Sequence, residues 1–216
     1  MQIWYKDGEI LINDLPEPKE QYIKKIGFPV ILHAVFDPID FTIYGDRLLD
    51  MITYLRMNEV IVHPVSEKSP VTDITENELA EQVKLFSIKA KSRGITWYLE
   101  NNSKVDVFHY KAHDLRVVFS SDDYVEQLLD VAHIDSYKHL NEIISVKFPK
   151  CLHIAGKHFD IPHEHLSLTE GDIDYKVVFS QYLKGYDGRI ILEIDGTDEE
   201  IAISKQIIDE AILLAK

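Results

Sequence analysis

Six short apolar runs of this chain each stop at a histidine or a carboxylate: VILH at His33, VIVH at His63, WYLE at Glu100, QLLD at Asp130, CLH at His153 and IILE at Glu193. Imidazole nitrogen and carboxylate oxygen are the ligands that zinc, manganese and iron take, and a site needs several of them within a few ångströms. Two further patterns add donors of the same kind. Asp130 and His133 form D-x-x-H across the end of one run, and His163 and His165 form H-x-H in the segment after His153. Alternate residues of an extended segment face one side, so the second pair also points one way. A single histidine after an apolar run is more often a hydrogen-bonded residue at the edge of a core. Six such endings shift the balance, because buried carboxylates need a partner charge.

The elements that carry these residues read as a parallel βα array. Strands are expected near residues 29–35, 59–65, 95–101, over QLLDVAHI, over CLHIAG and over RIILEID. Helices are expected near 44–57, 75–92, 105–119, over SYKHLNEIISVKF with Ser136 as N-cap, near 172–184, and from Thr197 to the C-terminal end. The last of these has Ile201, Ile208, Ile212 and Leu213 as its apolar face. At the start, IWYK and EILIN flank Lys6-Asp7-Gly8, a hairpin signal. The fold class is therefore α/β, a TIM-type (β/α) barrel, in which the carboxyl ends of all strands surround one mouth. A full barrel takes about 250 residues, so 216 residues imply a single domain over 1–216 whose first βα unit is abbreviated.

Composition narrows the partners. With 23 basic and 37 acidic residues the formal charge is −14, which argues against holding duplex DNA by phosphate neutralisation. Bound cations reverse that balance locally, so a phosphoester ligand stays open. The opening stretch MQIWYKDGEILIND does not read as a signal sequence, and no run is long enough to span a bilayer. Cys151 is the only cysteine and reads as a small core residue; a reducing, cytoplasmic setting is expected. His109, His113 and His139 fall on expected helix surfaces and read as solvated, whereas His158, in the loop beside His153, reads as a substrate contact.

The residues resemble the xylose isomerase-like TIM barrels, which include endonuclease IV and sugar-phosphate isomerases and epimerases. The resemblance covers about residues 29–195. HIAG followed by HEHLSLTEGDIDY resembles the superfamily's strand-end histidine and its following loop, with Gly171, Asp172 and Ile173 opening the next helix. GYDGRIILEID resembles its strand ending in a ligand glutamate, and LENN and LDVAH resemble its Leu-Glu-Asn and Asp-x-x-His signatures. The resemblance implies a metal on Glu100, Asp130, His153 and Glu193, as in the one-metal isomerases. It also implies added ligands at His33, His63, His133, His163 and His165, as in the three-metal endonuclease branch. His163 stands where the endonuclease has aspartate, a change that lowers the negative charge of the cluster and bears on metal identity. Phe36 stands in place of a DNA-facing tyrosine, which weighs against abasic DNA. Phe36, Lys157 and His158 are the expected substrate contacts.

Two mechanisms follow from these residues, and a barrel that binds a ligand without catalysis is a third reading. With two or three divalent ions, zinc first and manganese or iron as alternatives, the expected chemistry is hydrolysis of a phosphoester or related bond, with Glu100 orienting water. With one ion, the expected chemistry is sugar or sugar-phosphate isomerisation or epimerisation, with Glu100 and Glu193 as the catalytic acid and base. The multinuclear hydrolase is preferred, because an isomerase does not require His33 and His63. The partner is then a small phosphoester or sugar, and an apolar flank left by the abbreviated unit makes an oligomer an open expectation.

Overall fold

A computed structural model describes residues 1–16 and 18–215. The chain forms two compact units, one of Met1–Glu100 with Arg116–Glu126, the other of Asn101–Leu115 with the chain from Gln127 onward. In the first unit the elements are β1 (Gln2–Lys6), β2 (Glu9–Leu11), α1 (Lys19–Ile26), β3 (Ile31–Phe36), α2 (Pro38–Tyr54), β4 (Glu59–Pro64), α3 (Thr75–Ser92) and β5 (Thr96–Glu100). Their strands lie in the order β2-β1-β3-β4-β5. All neighbours pair in parallel except β1 and β2.

The hairpin signal holds: Asp7 (φ 51°) and Gly8 (φ 83°) both take the left-handed backbone that a two-residue turn between twisted strands requires. β1 also runs parallel to β3, with Trp4 opposite His33. The first βα unit is thus present in short form, closed by the eight-residue helix α1.

Period-two alternation sorts the side chains of β3. His33 faces one way and Phe36, three residues on, faces the other. Phe36 is fully buried against Tyr5 and Phe41, and Phe41 packs edge-on to Phe86 and Trp97. The expected substrate contact at Phe36 is therefore overturned: the ring belongs to the aromatic core between the strands and helices α2 and α3.

Following β5 in the chain come α4 (Ala112–Phe119), β6 (Glu126–Asp130), a 3₁₀ turn over Val131–His133, α5 (Tyr137–Ile144), β7 (Cys151–Ile154), α6 (Tyr175–Val177) with a π-helical turn over Val178–Tyr182, β8 (Arg189–Leu192) and α7 (Asp198–Leu214). In the second unit β6, β7 and β8 pair in parallel in that order. Cys151 is buried, as its apolar context implies.

Helix α2 begins at Pro38 rather than near 44, α5 ends at Ile144 rather than near 148, and three further helices differ. The segment from 105 is not helical until Ala112, because Val107 (φ 57°) and His109 (φ 48°) adopt left-handed backbone and Asn102 gathers the loop, its N–H on the His109 carbonyl and its side-chain amide on that of Phe108. Gly171 and Asp172 lie in the loop before α6, where the Asp172 N–H donates to the Lys157 carbonyl, and Asp174 is the N-cap. On α7 the buried side is Ser204, Ile208 and Ala211, while Leu213 is 71% exposed. The caps at Ser136 and Thr197 are as expected, their hydroxyls accepting from His139 N–H and Glu200 N–H. No helix among the described residues is long and apolar enough to cross a membrane.

Because Phe36 is a core ring, Phe36→Ala should cost about 3–5 kcal/mol, read as a lower urea midpoint with an unchanged slope. A residue at the mouth would leave the midpoint where it was.

Candidate metal centre

The first unit gathers His33, His63 and Glu100, each offering one ligand atom, within 4.8 Å of one another. Glu100 ends β5, His63 lies one residue before the end of β4, and His33 lies within β3. His33 Nε2 lies 2.9 Å from Glu100 Oε2, and His63 Nδ1 lies 3.4 Å from the same oxygen. The two imidazoles are near-parallel, 5.7 Å apart. Trp4 stacks on His33 at 4.5 Å, and the Gln2 side-chain amide sits 2.8 Å from His33 Nδ1. Sequence reasoning missed Gln2 and Trp4, since their only signal was the alternation within QIWYK.

The second unit holds Asp130, His133, His153, His163, His165 and Glu193. D-x-x-H converges because the chain leaves β6 through the tight 3₁₀ turn, fixed by the Ala132 N–H donating to Asp130 Oδ1 (2.7 Å). H-x-H is held by a bridge between Gly156 and Leu166 that folds the intervening loop back. A Cβ at Gly156 would stand 2.3 Å from the Ser167 carbonyl oxygen, so only glycine allows this approach. His133, His163 and His165 then present one nitrogen each within 4.8 Å of one another. His153 Nδ1 lies 2.8 Å from Glu193 Oε2.

Hydrogen bonding determines which nitrogens can ligate. His133 Nδ1–H donates to the Asn101 carbonyl and His165 Nδ1–H to the Glu193 carbonyl, each at 2.8 Å. In the neutral rings this leaves a lone pair on each Nε2. Those lone pairs face Asp130 Oδ2 at 3.4 and 3.7 Å. This oxygen is buried without a hydrogen-bond donor. Acceptors aimed at one another inside a protein call for a cation between them, and backbone carbonyls that fix the Nδ1–H tautomer are the usual outer partners of metal-bound histidine. The donor set therefore fits a divalent ion. His163, on the rim, has its pKa lowered by burial and by the neighbouring imidazoles, which favours the neutral form a metal needs.

Four other residues are corrected or refined. Lys157 is not a loop cation facing solvent: it is fully buried, its Nζ donates to the Ile134 carbonyl (2.7 Å), and burial lowers its pKa. His139 is buried rather than solvated; its Nδ1 accepts from Asp135 N–H, its Nε2–H donates to the Tyr110 carbonyl, and burial lowers its pKa. His109 is likewise buried, whereas His113 is exposed beside Asp114. His158 remains accessible, with its Nδ1 3.0 Å from Glu164 Oε2, and that hydrogen bond raises its pKa.

No protein-family model and no curated protein matches the chain. Solved structures do. A D-tagatose 3-epimerase-like protein superposes with a TM-score of 0.75 at 17% identity, over 93% of this chain and 84% of the other. A xylose isomerase-like TIM barrel protein from Mycobacterium smegmatis, in complex with magnesium, gives 0.69 at 15%, over 98% and 84%. An AP endonuclease of family 2 from Brucella melitensis gives 0.60 at 15%, over 92% and 96%. The fold is thus a TIM-type barrel, as expected from the sequence.

The Glu164 contact sets a measurable titration. His158 should titrate above the ordinary value of about 6.5 when followed by NMR, and Glu164→Gln should return it toward that value. His139, shifted the other way, should titrate below it and be unaffected by Glu164→Gln.

Proposed function

We propose that the chain is a metal-dependent hydrolase with a multinuclear site, acting on a phosphoester or related small substrate. The observation that carries the metal is the convergence of His133 Nε2, His165 Nε2 and the donor-free Asp130 Oδ2. More than one ion is supported by the supply of ligands. His133 with His163 and His165 is a complete three-donor set beyond what a four-ligand isomerase site uses, and His33 and His63 add two donors beside Glu100. In a (β/α) barrel, strand-end residues share one mouth. By resemblance to the one-metal ligand set we take Glu100, Asp130, His153 and Glu193 as the ligands common to both readings. Zinc suits imidazole-rich ligation, with manganese or iron as alternatives.

When bound, such ions supply Lewis acidity and lower the pKa of water. The chain's own groups then divide the work. Glu100 orients the attacking water and takes its proton. His63 and His165, less enclosed than His33 and His133, lie nearest the entering substrate. His158, whose pKa the Glu164 hydrogen bond raises, meets its anionic part. The charge of −14 disfavours long duplex DNA as that substrate.

A second reading, sugar or sugar-phosphate isomerase or epimerase, is favoured by the epimerase-like neighbour. There a single bound ion would supply Lewis acidity to the substrate, while Glu100 and Glu193 would move a proton between adjacent carbons.

Metal stoichiometry separates the two. Elemental analysis with anomalous diffraction should find two or three ions per chain. A single ion held only by Glu100, Asp130, His153 and Glu193 would overturn the hydrolase. In either reading Glu100→Gln should lower kcat by roughly 10²–10⁴-fold in a screen of phosphoesters and sugar phosphates. Retention of full turnover would remove Glu100 from the chemistry.

A further inference from the structure

His33 is fully buried, and Trp4 stacks on its ring at 4.5 Å while staying 44% exposed, so the indole shields one face of the imidazole from solvent. Trp4 belongs to β1 and pairs with Leu11 of β2, which is also exposed. The cover over His33 is therefore carried by the β1–β2 hairpin, and β2 ends the strand order.

Charge ties down the tip of that hairpin. Lys6 Nζ lies 2.5 Å from Glu67 Oε2, and Asp7 Oδ1 lies 2.6 Å from Lys68 Nζ. Two consecutive residues of opposite sign on the hairpin thus meet two consecutive residues of the reverse order on the loop between β4 and α3. Both pairs span the exit of β3, which lies between β1 and β4 in the sheet.

The two sides of this clasp are not held alike. On the loop side, the buried Asp37 carboxylate accepts the Glu67 N–H at 3.2 Å and the Lys68 N–H at 2.9 Å. Lys68 Nζ also donates to both oxygens of buried Asp40, at 2.7 and 2.9 Å. The hairpin side reaches the loop through the partly exposed side chains of Lys6 and Asp7 alone. Its turn rests on α2 at Gly8, where a Cβ would stand 2.9 Å from Arg47 Nη1 and 3.0 Å from Tyr44 Cδ1. When the pairs part, the loop stays and the hairpin is released. Ile3, Tyr5 and Ile10 remain in the core, so release loosens the hairpin rather than unfolding it. Exposed ion pairs are weak and are screened by salt, which suits a joint that opens often.

We propose that the β1–β2 hairpin is an electrostatically latched cover over His33, with Trp4 as the cover and the reciprocal pairs Lys6–Glu67 and Asp7–Lys68 as the latch. Ionic strength then sets how often that ring is uncovered. The link to zinc rests on the metal reading above; the latch itself does not.

Hydrogen exchange on the metal-free full chain tests the latch. Amides of β1 and β2 should exchange about two- to fivefold faster in 1 M NaCl, and in Lys6→Glu or Glu67→Lys at low salt, while those of α3 do not change. The double variant Lys6→Glu/Glu67→Lys restores the pair with its signs exchanged and should return to the wild-type rate. The single variants shift net charge in opposite directions, so a like effect from both cannot come from the general field. Opposite effects, no rescue in the double variant, or exchange indifferent to salt would each overturn the proposal. Transfer of zinc from the loaded protein to a chromophoric chelator should follow the same order of variants for one ion; an order that ignores the latch would remove its link to the site. If no zinc binds the wild type, the metal reading fails, while hydrogen exchange still decides the latch.

Discussion

An ionised carboxylate oxygen with no donor, facing imidazole lone pairs in a protein interior, costs several kcal/mol unless a positive charge lies among them. Asp130 Oδ2 is in that position, and its surroundings are arranged to keep it there. Carbonyls of Asn101 and Glu193 hold two protons away from it, the turn at Val131–His133 spends its other oxygen on a backbone N–H, and the Gly156 bridge holds the loop that brings His165 back. None of these contacts is needed to build three parallel strands. They make sense as the outer scaffold of a cation site, and they couple occupancy of the site to stability of the loops that form it.

The same economy of placement appears in the alternation of the strands. One residue of register separates ligand from core on β3, where His33 meets Glu100 and Phe36 meets Phe41. On β1 the alternation gives Tyr5 to the aromatic core and Gln2 and Trp4 to the imidazole. A strand cannot slip by one residue without exchanging the two sets. Packing of large rings such as Phe36, Phe86 and Trp97 against α2 and α3 therefore also fixes the register of the ligands.

What the sequence made legible follows from which features are local. An apolar run that ends on a polar group is local, and all six runs proved to lie in strands: Glu100 and Asp130 end theirs, Glu193 follows β8, and His33, His63 and His153 lie within β3, β4 and β7. Ser136 and Thr197 could be read as caps for the same reason. The burial of His109 and His139 was not legible, because it depends on Asn102 and Tyr110 reaching across a loop whose left-handed turns at Val107 and His109 carry no glycine or asparagine to announce them. Lys157 was misread because a lysine in a polar loop is normally solvated, and its carbonyl partner lies 23 residues earlier. Phe36 was misread by following a resemblance where the parity of β3 already separated it from His33.

The charge of the outer histidine set bears on which substrate the mouth favours. Within the second unit, His133, His163 and His165 are neutral ligands, and with His163 in place of an acid the set contributes no formal negative charge of its own. A dication held there keeps most of its charge, apart from what Asp130 nearby offsets, whereas one held by Asp130 and Glu193 is largely neutralised. Local ions dominate the field of a small cleft even in a chain of charge −14. An excess of positive charge stabilises an anionic group and adds nothing for a neutral hydroxyl. The all-histidine set is thus better matched to an anionic phosphate oxygen, of a phosphoester or of a sugar phosphate, than to an uncharged sugar hydroxyl.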